Sequence, residues 1–151
     1  TAILRVYRHQ RHGPFILGQE ALSYCADIIE RFGVKATDVN GPIAALSGGN
    51  LQRLLVGREL DGKPSVVIAS QPTRGLDVQG VKAIQELLIN QRDSGAAVMM
   101  ISEDLDELLA ISDRLLVMEG GVLRGEFDPR SASRQEVGMA MLSDAQVRAT
   151  P

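Results

Sequence analysis

Apolar and polar positions follow two different periods along this chain. Leu22, Ala26, Ile29 and Phe32 recur at helical spacing and Gly33 stands where a helix would close, so the pattern predicts an amphipathic helix over residues 19–32. Residues 35–42, with Asp38, Asn40, Gly41 and Pro42, carry turn chemistry and read as a loop. Leu51, Leu54, Leu55 and Leu60 mark a second helix that starts near Gly48. The pattern then changes. Residues 66–69 form an apolar strand, a helix over 78–92 turns Val81, Ile84, Leu87 and Leu88 inward, and Gly95 ends it. Residues 96–101 are continuously apolar, as expected of a strand covered on both faces.

The remainder predicts a short helix with Asp104 and Glu107 spaced as a capping box. Two strands joined at Glu119-Gly120-Gly121 follow, and Ser133 and Glu136 form a second capping box before a terminal helix. Helices first, then strand and helix in alternation with a closing hairpin, make an α/β fold: a helical lobe attached to a mostly parallel sheet. The expected division is a helical subdomain over 1–62 and an α/β part over 63–151.

Composition narrows the reading only slightly. With 151 residues, 44% of them hydrophobic, the chain is long enough for one domain or part of a larger one. Thr1 in place of Met, and a first segment that looks like helix interior without a cap, favour a piece cut from a longer protein. A net charge of −3 provides no global field for nucleic acid, and Arg5, Arg8, His9, Arg11 and His12 read as a solvated local cluster. Cys25 cannot pair internally, and between Tyr24 and Ala26 it reads as a buried, inert thiol. No apolar run approaches the roughly 20 residues of a spanning helix.

Chemistry in an open parallel sheet gathers at the carboxyl ends of its strands, which here carry Ser70-Gln71 and Ser102-Glu103. A third candidate is Leu46-Ser47-Gly48-Gly49-Asn50. Ser47 can cap the helix beginning there, while the two glycines leave backbone N–H groups bare at its positive end, an arrangement suited to a phosphate. One segment imitates a phosphate loop: Gly57 to Lys63 satisfies Gly-x4-Gly-Lys. It fails chemically, because Pro64 offers neither a hydroxyl nor an N–H and the segment follows a helix.

Taken together, "LSGGNLQRLLVGREL", "QPTRGLDV" and "ISEDLDELLAISDRLLVMEGG", in this order and spacing, resemble the ATP-binding cassette (ABC) transporter ATPases over nearly the whole chain. Asn50 after the glycines and Pro72-Thr73-Arg74-Gly75 after the strand are similar to the carboxyl-terminal cassette of sugar and nucleoside importers. The resemblance implies a partial P-loop-type cassette. Leu46, Ser47, Gly48, Gly49, Asn50 and Gln52 match the signature motif, which acts in trans on ATP held by an opposite cassette, and Gly75, Leu76 and Asp77 match the D-loop.

Three positions depart from the active pattern. Ser70 stands where an aspartate supports Mg2+, Gln71 where the catalytic glutamate stands, and Glu103 where a histidine contacts the γ-phosphate. Gln71 cannot take a proton from water, a role worth roughly 10²–10⁴ in rate. Ser70 brings no charge to a metal shell that favours carboxylate. Glu103 would set an anion against phosphate, a repulsion of about 4 kcal/mol at 4 Å and an effective dielectric of 20. With no intact catalytic residue and no metal ligand of its own, this cassette is expected to hold ATP and Mg2+ mainly through its partner. The implied partners are an amino-terminal cassette of the same polypeptide, permease subunits and, indirectly, a solute-binding protein, at the cytoplasmic face of the membrane and without nucleic acid. The alternatives are a non-transport cassette of translation or DNA-repair type, and a purely structural or regulatory one. Between solutes, "ASQPTRGLDV" looks closer to the nucleoside than to the sugar branch.

Overall fold

The computed structural model describes residues 11–12, 15–16 and 18–142. Expectations placed on residues 1–10, the uncapped first segment and Arg5, Arg8 and His9 among them, lie outside the described residues. Contacts divide the chain after Ile101 into a unit of residues 1–101 and a unit of residues 102–151.

The first unit opens with a short antiparallel pair, β1 (Arg11–His12) and β2 (Phe15–Ile16), and continues into helix α1 (Gly18–Arg31). Gly33 adopts φ +62, and the chain doubles back so that the Val34 N–H reaches the Ile29 carbonyl at 2.9 Å, closing the helix as its position predicted. The inward face differs from the expected one. Ile28 is fully buried while Leu22 and Ala26 are exposed. The core against α1 consists of Ile28, Val34 and Leu54 with Tyr24, Cys25, Ile29, Phe32 and Leu46 around it, so among the described residues its packing falls on the last two turns. Apolar spacing fixes a stripe, but the neighbour fixes which part of the stripe is buried. Cys25 is half-buried there, and burial raises its thiol pKa, as an inert packing cysteine requires.

Helix α2 (Gly48–Leu60) follows a 3-10 turn at Ile43–Ala45, buries Leu54, Gly57 and Leu60, and packs against both α1 and helix α3 (Val78–Asp93). The strands β3 (Val66–Ser70) and β4 (Ala97–Ile101) pair in parallel, Val66 opposite Ala97 and Ser70 opposite Ile101. A parallel pair needs a crossover, and α3 supplies it, burying Ala83, Ile84 and Leu88. Full coverage of β4, expected from its unbroken apolar sequence, is not found among the described residues. Exposure alternates, with Val66, Ile68, Met99 and Ile101 outward and Ile68 at 67% exposure. Side chains in a strand point to opposite faces in turn, and the described elements cover only one face of this pair.

The second unit contains α4 (Leu105–Ile111), the antiparallel hairpin β5 (Leu115–Glu119) and β6 (Val122–Phe127), and α5 (Arg134–Leu142). Gly120 and Gly121 both take positive φ, +57 and +77, the backbone that a two-residue hairpin turn with right-twisted strands needs. Leu115, Val117 and Val137 form its core. The Ser133–Glu136 capping box closes in both directions: the Ser133 N–H donates to Glu136 at 2.8 Å, and the Glu136 N–H donates to Ser133 Oγ at 3.2 Å. The other box is half made. Asp104 caps α4 through the N–H groups of Asp106 and Glu107, but the Glu107 carboxylate accepts from Ser102 Oγ at 3.0 Å instead of returning to Asp104. No helix among the described residues is long and apolar enough to cross a membrane.

Candidate functional site

Within the first unit the start of α2 and the start of α3 face one hollow of about 410 Å³. Ser47, Gly48, Gly49 and Asn50 line it from one side, and Gly75, Leu76, Asp77, Gln79 and Gly80 from the other. Thus the two stretches singled out from sequence, separated by some two dozen residues, are brought together. The two helix starts approach closely: a Cβ added at Gly49 would lie 3.8 Å from the Gly80 Cα, in ordinary van der Waals contact.

Each helix start is fixed by a side-chain cap. Ser47, in extended backbone at φ −62 and ψ 157, accepts from the Asn50 N–H. Asp77 does the same for α3, accepting from the Gly80 N–H at 2.7 Å. Gly75 has φ +76, a conformation that favours glycine and turns the chain from Pro72 into the capping residue. Gln52 links the two parts: its Nε2 donates to the Pro72 carbonyl at 2.7 Å. Its amide is therefore directed into the fold, tying α2 to the turn before α3. Leu46 is likewise turned inward, onto the core of Ile28, Val34 and Leu54.

Gly48 is different. It has no positive φ, and a Cβ added there would meet nothing within 4 Å. Nothing among the described residues requires a glycine at that position, and the backbone at the tip of α2 is bare toward open space there. Gly57, farther along the same helix, is the opposite case: its added Cβ would sit 2.5 Å from Phe32 Cγ. This packing role explains a glycine that also completes the imitation phosphate loop. The segment is the end of α2 followed by a turn with Lys63 at φ +45, where backbone amides are used within the helix and do not cradle an anion.

Ser70 and Gln71, in the first unit, are not among the residues that line the hollow. Ser70 closes β3 and is exposed. Gln71 takes the left-handed φ of +49, and its N–H donates to the Ile101 carbonyl at 2.8 Å. That conformation is uncommon for a side-chain-bearing residue and marks the bend from strand into turn. Glu103 belongs to the second unit and is exposed there. Among the described residues no group of three or more His, Cys, Asp or Glu side chains converges as a metal site.

Sequence reasoning passed over Lys35 and Arg53, which bring two cations to the same hollow. Arg53 was legible in principle, because Ser47, Asn50 and Arg53 recur every three residues along the start of α2. Lys35 arrives from a loop and had no periodic signal. At the far end of α2, Asp61 accepts from Tyr24 Oη at 2.7 Å and pairs with Arg31, which also pairs with Asp27 at 2.6 Å. Burial, reinforced by the bond to Asp61, pushes the Tyr24 phenol up to about 12. Burial opposes ionisation of Asp61, yet the bonds from Tyr24 and Arg31 outweigh it and hold the carboxyl below its usual value.

Comparison with known proteins bears on these features. No family model matches the chain. It is 37% identical over 154 aligned residues to the glucose import ATP-binding protein TsgD13 of Haloferax volcanii, covering 99% of this chain and 28% of that protein. It is 41% identical over 120 residues to the nucleoside import ATP-binding protein NupA of Lactococcus lactis, covering 80% and 24%. The chain thus spans about a quarter of the length of these relatives. Among solved structures, the dimeric bacterial ABC transporter cassette MJ0796 superimposes with a TM-score of 0.66 at 24% identity, over 87% of this chain and 58% of that one. The fold, the ordered motifs and these relatives agree: the chain belongs to the ATP-binding cassette family, as part of an ABC ATPase cassette, and its similar relatives are ATP-binding proteins of glucose and nucleoside import.

Proposed function

We propose that this chain is the signature-bearing part of the second cassette of an importer's ATP-binding subunit, and that it completes in trans an ATP site held by the other cassette. The observation that carries this reading is Gly48, a glycine at the tip of α2, beside the Ser47 cap, that no packing among the described residues requires. A bare helix start with Ser47 as cap suits an external anion: N–H groups and the positive end of the helix dipole stabilise phosphate oxygens there. Lys35 and Arg53 in the same hollow add charge of the same sign. The D-loop residues Gly75, Leu76 and Asp77 share that hollow, so whatever docks against the signature meets them too.

The donor set explains what this part does not do. A magnesium shell favours carboxylate oxygen, and the end of β3 offers only the Ser70 hydroxyl and the neutral Gln71 amide. Gln71 has no basic group to receive a proton from attacking water. Mg2+ and the general base therefore belong, in this proposal, to the facing cassette, which holds the triphosphate. ATP supplies a γ-phosphate that draws the two cassettes together, and its hydrolysis releases them. This chain contributes oriented donors, a fixed D-loop and exclusion of water. The relatives' names favour nucleosides or simple sugars as the imported solute, with permease subunits as the membrane partner.

Ser47→Arg in the complete ATP-binding subunit, reconstituted with its permease, tests the reading. The long cation would fill the hollow from an exposed position, so the fold should persist while transport-stimulated hydrolysis is abolished. Hydrolysis at the normal rate in that variant would refute the trans role.

A further inference from the structure

Asn50 is bonded in a way that decides what Ser47 can do. Its Oδ1 accepts from the backbone N–H of Lys35 at 2.7 Å, and its Nδ2 donates to Ser47 Oγ at 2.9 Å. Because a backbone N–H can only donate, the amide can be oriented in one way, oxygen toward Lys35 and nitrogen toward Ser47. Lys35 is itself fixed: the preceding Val34 is buried in the core with Ile28 and Leu54, and its N–H is bonded to Ile29 at 2.9 Å.

Ser47 Oγ therefore receives two N–H groups from one residue, the side-chain amide at 2.9 Å and the Asn50 backbone N–H at 3.5 Å. A hydroxyl has two lone pairs and one proton. With both acceptor positions directed at Asn50, the proton must point away from it. We propose that Asn50 is a positioning residue that holds Ser47 as an outward donor, aimed at an anionic oxygen of the terminal phosphate of a nucleoside triphosphate on the facing cassette. This rests on the trans reading above and adds a residue and a proton direction to it. An ordinary N-cap needs only the backbone bond; the second bond, anchored through Lys35 to the core, serves orientation.

The near-isosteric change Asn50→Asp separates orientation from structure. One carboxylate oxygen still accepts from the Lys35 N–H. The other faces Ser47 Oγ, can only accept, and so draws the hydroxyl proton inward. A carboxylate in the first turn of a helix is favourable to the helix dipole, so folding should not suffer. The experiment measures stimulated ATP hydrolysis and thermal midpoint for Ser47→Ala, Asn50→Ala, Asn50→Asp and the double alanine variant, all in the complete subunit assembled with its permease. Ser47→Ala should lower kcat roughly 10- to 100-fold, as loss of a bond to a charged oxygen does. Asn50→Ala should fall as far, and the double variant no farther, since the two residues act through one proton. Asn50→Asp should lose at least as much rate while its thermal midpoint is retained or raised. Losses that multiply in the double variant, or full activity in Asn50→Ala or Asn50→Asp beside an impaired Ser47→Ala, overturn the positioning role alone. An unimpaired Ser47→Ala overturns the trans reading, and this inference with it.

Discussion

The two ends of helix α2 present the same residue type for opposite reasons. At its carboxyl-terminal end Gly57 faces Phe32 so closely that any side chain would collide, and Asp61 just beyond is tied to Tyr24 and Arg31. Every feature there is answered by the chain's own fold. At the amino-terminal end Gly48 faces open space, and Ser47 Oγ accepts from the side-chain amide and the backbone N–H of Asn50. A glycine that could be alanine without strain weakens a fold by about 0.4–1 kcal/mol through the freedom it gives the unfolded chain. One end of the helix offsets that cost with packing. The other does not among the described residues, and the trans proposal gives Gly48 a use outside the chain.

Substitutions can break this contrast. The largest effect is expected from Gly48→Ala, where a methyl group at the bare tip should lower stimulated hydrolysis by about 10²–10³, the scale on which loss of a preorganised oxyanion donor acts. The thermal midpoint of that variant should hold or rise. Gly57→Ala should do the reverse, destabilising by about 1–3 kcal/mol as overpacking against Phe32 does, with kcat per folded molecule unchanged. Equal loss of activity and stability at both positions would remove the distinction between the two ends.

Much of this site was legible in the sequence because its signals are local. Ser47 capping a glycine-led helix depends on a few adjacent residues and formed as the pattern predicted, as did the Gly120-Gly121 hairpin of the second unit. What was not legible depends on neighbours far along the chain. The face of α1 is set by Val34 and Leu54, which is why Ile28 is buried and Leu22 and Ala26 are not. Glu107 abandoned its capping box because Ser102 offered a competing hydroxyl. Lys35 reached the hollow through a loop that carries no period, and its N–H bond to Asn50 links positions fifteen apart. The apolar run of β4 predicted two covered faces, but the alternation of exposure along the pair arises from which elements stand beside it.

Smaller effects sharpen the closed end of the helix. Tyr24→Phe removes a half-buried donor to Asp61 and should destabilise by about 1 kcal/mol, read as a shift in denaturation midpoint. Because the Tyr24 pKa is raised from 10.0 to about 12, its contribution is fully present below the unfolded value and is lost as pH climbs through that window. The Asp61 carboxyl, held low, contributes at neutral pH and is lost as pH falls through its depressed value. A difference titration of phenolate absorbance between wild type and Tyr24→Phe should show a midpoint near 12; one at 10 would mean that neither the burial of Tyr24 nor its bond to Asp61 holds in solution. The smallest effect is none. Lys63→Ala, in the imitation phosphate loop, should leave ATP hydrolysis by the complete subunit unchanged, and a large loss would restore that lysine as a phosphate ligand.

The most direct test is the structure of the assembled transporter trapped with ATP, in which the separation between the Gly48 backbone nitrogen and the nearest phosphate oxygen is measured. The trans account predicts hydrogen-bond range, about 3 Å, to a triphosphate whose Mg2+ and base belong to the facing cassette. A closed assembly with that nitrogen against its own fold, or beside a triphosphate coordinated by this cassette's own strand end, would contradict it.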